Sequence, residues 1–436
     1  MTTFEIVLPA LAVLATLVLI SARRHYGLAR RQFVPFALLC LVFVAGLVSS
    51  TQLLERSLAV QLVLLSYLVV SAAVLVARAA LSKQRLAAFR WSLLLPAITS
   101  FTFFAVNALN NSQYSDIVLF GRFSSVIAVL SVTLISALCK FSVRTMSGAL
   151  VVAVLTMLIL TPFNGTNWRP CDRFKCGPFG AMFTGVFPSE NALAMFVSVA
   201  VIAVFLIPSW WVRSVALLPL VLALYATESR TSQIALLVGL AVWAMVHLVG
   251  RNRRVLGSNV DPINQAIFRI GALGALAVYV LGFILINSAS ISTFSNRGGI
   301  WQRGLNALGD SWVAGAGMDR WIFLQSVGIL PQLFPHSQYL LLLFGGGVVA
   351  ILASFLMLVI AFRNQLRSGH AAGFASGYIA FLCVIGLTEI YWNPSAFDGY
   401  VVVLVPLIFM LLAPSAAHAE KKETGVQARS RVLRYR

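Results

Sequence analysis

Charged side chains are scarce. Asp, Glu, Lys and Arg make up 10% of the 436 residues and apolar residues 60%, whereas an ordinary soluble domain is roughly 25% charged. That shortage excludes a soluble globular protein. Acid is scarcer still, with 13 Asp and Glu against 32 Lys and Arg for a net charge of +19. On a soluble chain such an excess points to nucleic acid, so where the charges sit decides what they mean. Five cysteines are too few for a disulfide scaffold, because small secreted frameworks are far denser in cysteine. No Lys or Arg precedes the first apolar run, which carries Glu5 instead. It lacks the basic start of a signal peptide and reads as a retained helix.

What the chain has is long apolar runs. A bilayer core about 30 Å thick takes about 20 apolar residues in a helix, and thirteen runs of roughly that kind are bounded by charge, Pro or Asn/Ser/Gly clusters. They fall near 4–22, 33–53, 59–81, 91–110, 116–139, 145–163, 189–207, 214–229, 231–249, 270–288, 338–361, 371–392 and 400–416. The expected fold is all-α: a polytopic bundle of 12 to 13 transmembrane helices forming one domain over 1–416, followed by a basic tail at 417–436.

Alternating the runs with the N-terminus outside assigns 23 of the 32 basic residues and 3 of the 13 acids to cytoplasmic connectors and tail, so that one face carries +20 and the other −1. This satisfies the positive-inside rule. The basic excess is then a topology signal with weak attraction to anionic lipid heads, and no nucleic-acid partner is expected. The C-terminus is expected in the cytoplasm.

Two outward connectors, about 164–188 and 289–337, are longer than connection requires, which is where function is expected. The first holds Cys171 and Cys176, a candidate local disulfide or two free thiols. The second is expected to be partly helical and lies before the third-last span. It ends in Pro335-His336-Ser337-Gln338-Tyr339 at a span entrance. His336 is the one of five histidines on the outer face, placed either as a general base or as an interfacial hydrogen-bonding group. Gly315 and Gly317 lack the preceding strand and third glycine of a nucleotide fingerprint and read as a turn. Arg230 sits between two apolar runs, where arginine usually has a partner or a task. Either Glu228 neutralises it, or it meets an anionic ligand, for which the guanidinium fork suits phosphate oxygens. Arg297, Arg303 and Arg320 share that face.

Five short motifs occur in order: Gly185-Val186-Phe187-Pro188-Ser189-Glu190-Asn191, Ser229-Arg230-Thr231, Arg297 with Ile300-Trp301, Gly315-Ala316-Gly317, and His336-Ser337 with Gly347 eleven residues after the histidine. Over about 185–350 this arrangement resembles the O-antigen ligase and O-antigen polymerase superfamily of membrane glycosyltransferases. It departs from that pattern at Glu190, where a basic residue is common, at Ala350, where Gly is common, and in having one span more than the usual twelve. The resemblance implies transfer of a glycan from an undecaprenyl-diphosphate-type carrier to a sugar acceptor outside the cytoplasmic membrane of a bacterium, with no cofactor, metal or nucleotide sugar. It implies that Arg230 and Arg297 hold the diphosphate while His336 serves the acceptor hydroxyl. Arg303, Arg320, Asn191, Glu228 and Tyr339 are the further substrate-binding candidates. The competing expectation is a transporter or flippase for an anionic or lipid-linked solute. Such a protein should show internal repeats and broken helices in matching halves, and none is evident. Membrane lipids are the remaining expected partners.

Overall fold

The computed structural model describes residues 2–22, 33–53, 58–81, 91–110, 116–139, 143–171, 175–256, 260–366, 372–395 and 401–412. The tail expected over 417–436 lies outside them. The described residues form fifteen α-helices: α1 (Thr2–Ser21), α2 (Phe33–Val48), α3 (Leu58–Leu81), α4 (Leu94–Asn110), α5 (Asp116–Cys139), α6 (Val143–Ile159), α7 (Glu190–Val204), α8 (Trp210–Thr227), α9 (Arg230–Leu256), α10 (Val260–Ser288), α11 (Thr293–Leu308), α12 (Met318–Ser326), α13 (Gln338–Leu366), α14 (Ala372–Ile385) and α15 (Val401–Leu412). All but α11 and α12 fall on the thirteen apolar runs. Six of them, α1, α6, α8, α9, α10 and α13, are long and apolar enough on their own to cross a bilayer. Away from water every backbone N–H and C=O must be satisfied within the segment, which selects helices for such runs. The chain is an all-α, multi-pass membrane protein.

Close packing within the bundle depends on small residues, as it does where lipid removes the hydrophobic drive between helices. Helices α9 and α14 run antiparallel with Gly239 against Gly377 and Trp243 against Gly373. A Cβ on Gly377 would lie 2.6 Å from the carbonyl oxygen of Gly239. Continuing that run carries the start of α9 toward Gly386, just past the end of α14.

Both long connectors acquire structure at this end of the bundle. The first folds into an antiparallel ribbon of β1 (Trp168–Pro170) and β2 (Ala181–Phe183), with Trp168 opposite Phe183. Its aromatic residues gather round Phe4 of α1, and Glu5 accepts a hydrogen bond from the Trp168 indole at 2.9 Å. The second connector contributes α11 and α12.

Where the connector meets α13, both backbones are broken and repaired by each other. Gly347 interrupts α13 with φ 63°, a left-handed conformation that glycine adopts without steric cost. The carbonyl of Phe344 accepts from the N–H groups of Ala316 and Gly317 at 2.7 and 3.0 Å, and the N–H of Val348 donates to the carbonyl of Trp312 at 3.0 Å. The turn expected at Gly315-Ala316-Gly317 is thus part of a backbone interlock.

The run expected over 371–392 is helical only to Ile385. The carbonyl of Gly386 receives the N–H of Gln338 at 2.9 Å. The fully buried Gln338 side chain then accepts from the N–H groups of Tyr391 and Trp392 at 3.0 and 3.1 Å and donates to the carbonyl of Trp392 at 2.8 Å. One polar side chain does for residues 391 and 392 what a further helical turn would have done.

Candidate functional site

The non-helical stretch after α14 carries the one acid in that apolar run, Glu389, which is buried and faces two of the residues expected at the site. Its Oε1 accepts from the Arg297 guanidinium at 2.5 Å, and its Oε2 lies 3.7 Å from Nδ1 of His336. The guanidinium also donates to the carbonyl of Thr388. Burial alone would raise the Glu389 pKa, but the nearby His336 and the charge of Arg297 outweigh it and hold the carboxyl below its ordinary value. Arg297 and His336, 39 positions apart in sequence, are brought together through a carboxylate from a third element.

The surrounding chain fixes this triad. His336 has φ 48°, a left-handed conformation uncommon for a residue with a side chain. Its neighbours hold it there: the fully buried Trp301 indole donates to the carbonyl of Pro335 at 2.9 Å, and the Ser337 hydroxyl and Gln338 N–H both donate to the carbonyl of Gly386. Strain held this way by packing on both sides is characteristic of functional sites. Behind Arg297, a Cβ on Gly298 would lie 1.9 Å from the carbonyl oxygen of Ser290, so only glycine allows the start of α11 to back onto the end of α10.

Arg230 occupies the same end but has its own counter-ion. It begins α9, a position the helix dipole makes unfavourable for a cation, and it donates to Glu228 Oε1 at 3.3 and 3.4 Å with its side chain 68% exposed. Both alternatives weighed for Arg230 are therefore compatible with its placement, since Glu228 pairs with it while most of the guanidinium stays accessible. Beside it, the Ser229 hydroxyl donates to Asn191 Oδ1 at 2.9 Å, tying the start of α9 to that of α7. Glu190, the departure noted in the motif, is fully buried and paired with Lys175 and Arg169 of the first long connector, the latter at 3.4 Å. A disulfide joins Cys171 to Cys176 in that connector.

The remaining candidates are not drawn into the cluster. Arg303 and Arg320 are exposed and make no ion pair among the described residues. Tyr339 is fully buried, its hydroxyl donating to the carbonyl of Cys383 at 2.6 Å and its ring against Tyr279. It packs under the site and does not face an opening. Below the same end, an apolar cavity of about 480 Å³ lies between α9, α10 and α14, bordered by Val238, Met245, Ile270, Gly271 and Phe362 and reaching Cys383 and Val384.

Residues 215–355, from α8 into α13, match the family model described as O-antigen ligase. Over that stretch, about a third of the chain, the protein is similar to O-antigen ligases. No curated protein matches it. The O-antigen ligase match contains Glu228, Arg230, Arg297, Arg303, Arg320, His336 and Tyr339 and stops short of Glu389. That similarity supports a ligase- or glycosyltransferase-type role in surface polysaccharide biosynthesis, in a chain whose apolar helices make it a multi-pass membrane protein.

Sequence reading missed Glu389 and Gln338. A lone carboxylate in an apolar run was the available signal for the first, because such a residue is costly unless paired. Gln338 had no comparable mark beyond its place two residues after the histidine.

Proposed function

We propose that the protein transfers a glycan from an undecaprenyl-diphosphate-type carrier to a hydroxyl group of a sugar acceptor at the outer face of a bacterial cytoplasmic membrane. The observation that carries this reading is the bridging of Arg297 and His336 by Glu389. It sets a phosphate-binding group beside a proton acceptor at the rim of the helical bundle. In the reaction the acceptor oxygen attacks the anomeric carbon, the bond from that carbon to the diphosphate oxygen breaks, and the proton of the hydroxyl passes to His336. Nδ1 faces Glu389, so Nε2 is the nitrogen available to the acceptor, and the carboxylate stabilises the imidazolium that forms. Charge developing on the departing diphosphate is met by the guanidinium groups of Arg297 and Arg230. Those donors do here what a divalent ion does in metal-dependent transferases, and the reading assigns no metal to the step.

The cavity between α9, α10 and α14 supports a lipid-borne donor, since an apolar tail lying there would leave its headgroup at the Arg297 end. The outward orientation of this end rests on the division of charge between the two faces, and the single domain over 1–416 on the continuity of the helix packing. Asn191, Arg303 and Arg320 remain candidates for contacts to the sugars.

Glycan analysis of cells producing Arg230→Ala, Arg297→Ala or His336→Ala at normal protein levels tests the reading. Loss of polymer length or attachment, with carrier-linked glycan accumulating outside the membrane, is expected. Wild-type polysaccharide in all three variants would overturn it, and accumulation on the cytoplasmic side would favour the flippase.

A further inference from the structure

Charge is unevenly shared between the two long connectors. Residues 164–188 hold Arg169, Asp172, Arg173 and Lys175, whereas residues 321–335, between Arg320 and His336, hold no Asp, Glu, Lys or Arg. In the structure the apolar side chains of this uncharged stretch point outward. Ile322, Val327, Ile329, Leu333 and Phe334 are each between 42% and 56% exposed, and a patch of that kind marks contact with protein or membrane.

Its backbone polar groups are met from within. Trp321, fully buried with its ring 5.0 Å from that of Phe344 on α13, donates to the carbonyl of Leu333 at 3.2 Å, and Trp301 holds the carbonyl of Pro335. The Gln325 amide donates to the carbonyls of Pro331 and Leu333 at 2.8 and 2.7 Å. The carbonyl of Leu324 receives the N–H groups of Ile329 and Leu330 at 2.9 and 3.0 Å. Irregular backbone can sit at membrane depth only where protein satisfies its polar groups, and these bonds do so on both sides of Phe334.

The same connector is continuous with a surface that already faces lipid. Beyond Gly347, α13 exposes Val348, Val349 and Leu352, on a helix long and apolar enough to cross the bilayer. Trp312, whose carbonyl receives the N–H of Val348, and Val313 extend that exposed face into the connector, at 45% and 70% exposure. This continuity selects lipid over a second protein as the occupant.

We infer that α12 and the loop after it form an in-plane anchor, seated among the lipids of the leaflet at this end of the bundle, and that the anchor sets the height of His336, two positions after Phe334. The insertion is independent of the proposed reaction; its use in placing His336 rests on that reading.

Nitroxide labels on Ile329→Cys, Phe334→Cys, Leu352→Cys and Asp310→Cys test the insertion in the full-length protein, reconstituted in vesicles of phosphatidylethanolamine and phosphatidylglycerol. The unsubstituted protein supplies the background from its native cysteines. Labels at 329 and 334 should meet oxygen several-fold more readily than a water-soluble nickel chelate, as at 352, and the label at 310 should show the reverse. If 329 and 334 behave like 310, or are shielded from both reagents by covering protein, the anchor is wrong. For the placing of His336, cells producing Ile329→Glu with Phe334→Glu at normal protein levels should lose polysaccharide length or attachment, while Ile329→Leu with Phe334→Leu should retain both. If the glutamate pair leaves the polysaccharide unchanged while Arg297→Ala abolishes it, the placing of His336 is wrong and the donor reading stands.

Discussion

Glu389 decides how the two arginines differ. Removing Arg297 leaves a buried carboxylate without its main partner, a change that costs about 3–5 kcal/mol in buried pairs. Removing Arg230 exposes nothing new, because that side chain is already mostly in solvent, and surface substitutions usually stay within about 0.5 kcal/mol. Thermal unfolding in detergent should therefore show Arg297→Ala clearly destabilised and Arg230→Ala close to wild type, while the proposed reaction expects both to lose transfer activity. Glu389→Gln should reduce kcat more than donor affinity, since the amide still accepts a hydrogen bond from Arg297 but no longer stabilises a protonated His336. Because the carboxyl of Glu389 titrates below its ordinary value of 4.5 in the folded protein, its ionisation contributes stability that is present above that pH. The contribution is lost as pH falls through the lower, folded value. The stability advantage of wild type over Glu389→Gln should thus be present at about pH 5 and above and shrink in stronger acid.

At the scale of elements, hydropathy located the helices because a backbone inside a bilayer has few alternatives to a helix. The same argument misplaced the end of α14, because apolarity reports burial and not conformation. Residues 386 to 392 are largely buried, as is the helix before them, yet their polar backbone groups are met by Gln338 and Ser337. That exchange brings Glu389 to the site, and nothing local in the sequence announces it. The arginines and the histidine were legible because a charge beside an apolar run is conspicuous; their connecting carboxylate was hidden inside one. Gln338→Leu, of similar volume, should leave the N–H groups of Tyr391 and Trp392 without their acceptor and release Glu389. Such buried losses cost about 1–3 kcal/mol per group. Activity should fall to the level of Glu389→Ala while membrane insertion is retained, as judged by protein levels in membrane fractions. Gly377→Val should fail differently, by forcing α9 and α14 apart along their length, and is expected to reduce the amount of folded protein itself.

For the whole molecule, the division of charge makes a prediction about orientation that is independent of chemistry. Thiol labelling of single cysteines introduced at 83 and at the exposed position 363 should require permeabilised cells, while a cysteine at 310 should label from outside. The reverse pattern would place the Glu389 site in the cytoplasm and end the proposed reaction. The interlock between Gly315-Ala316-Gly317 and Gly347 also bears on how such enzymes are recombined. Since each backbone completes the hydrogen bonding of the other, the long connector is not a detachable cap that confers specificity by itself. The smallest transplantable unit spans the connector, α13 and the turn after α14. A chimera receiving a foreign connector alone should insert in the membrane yet remain inactive, and one receiving all three together should work.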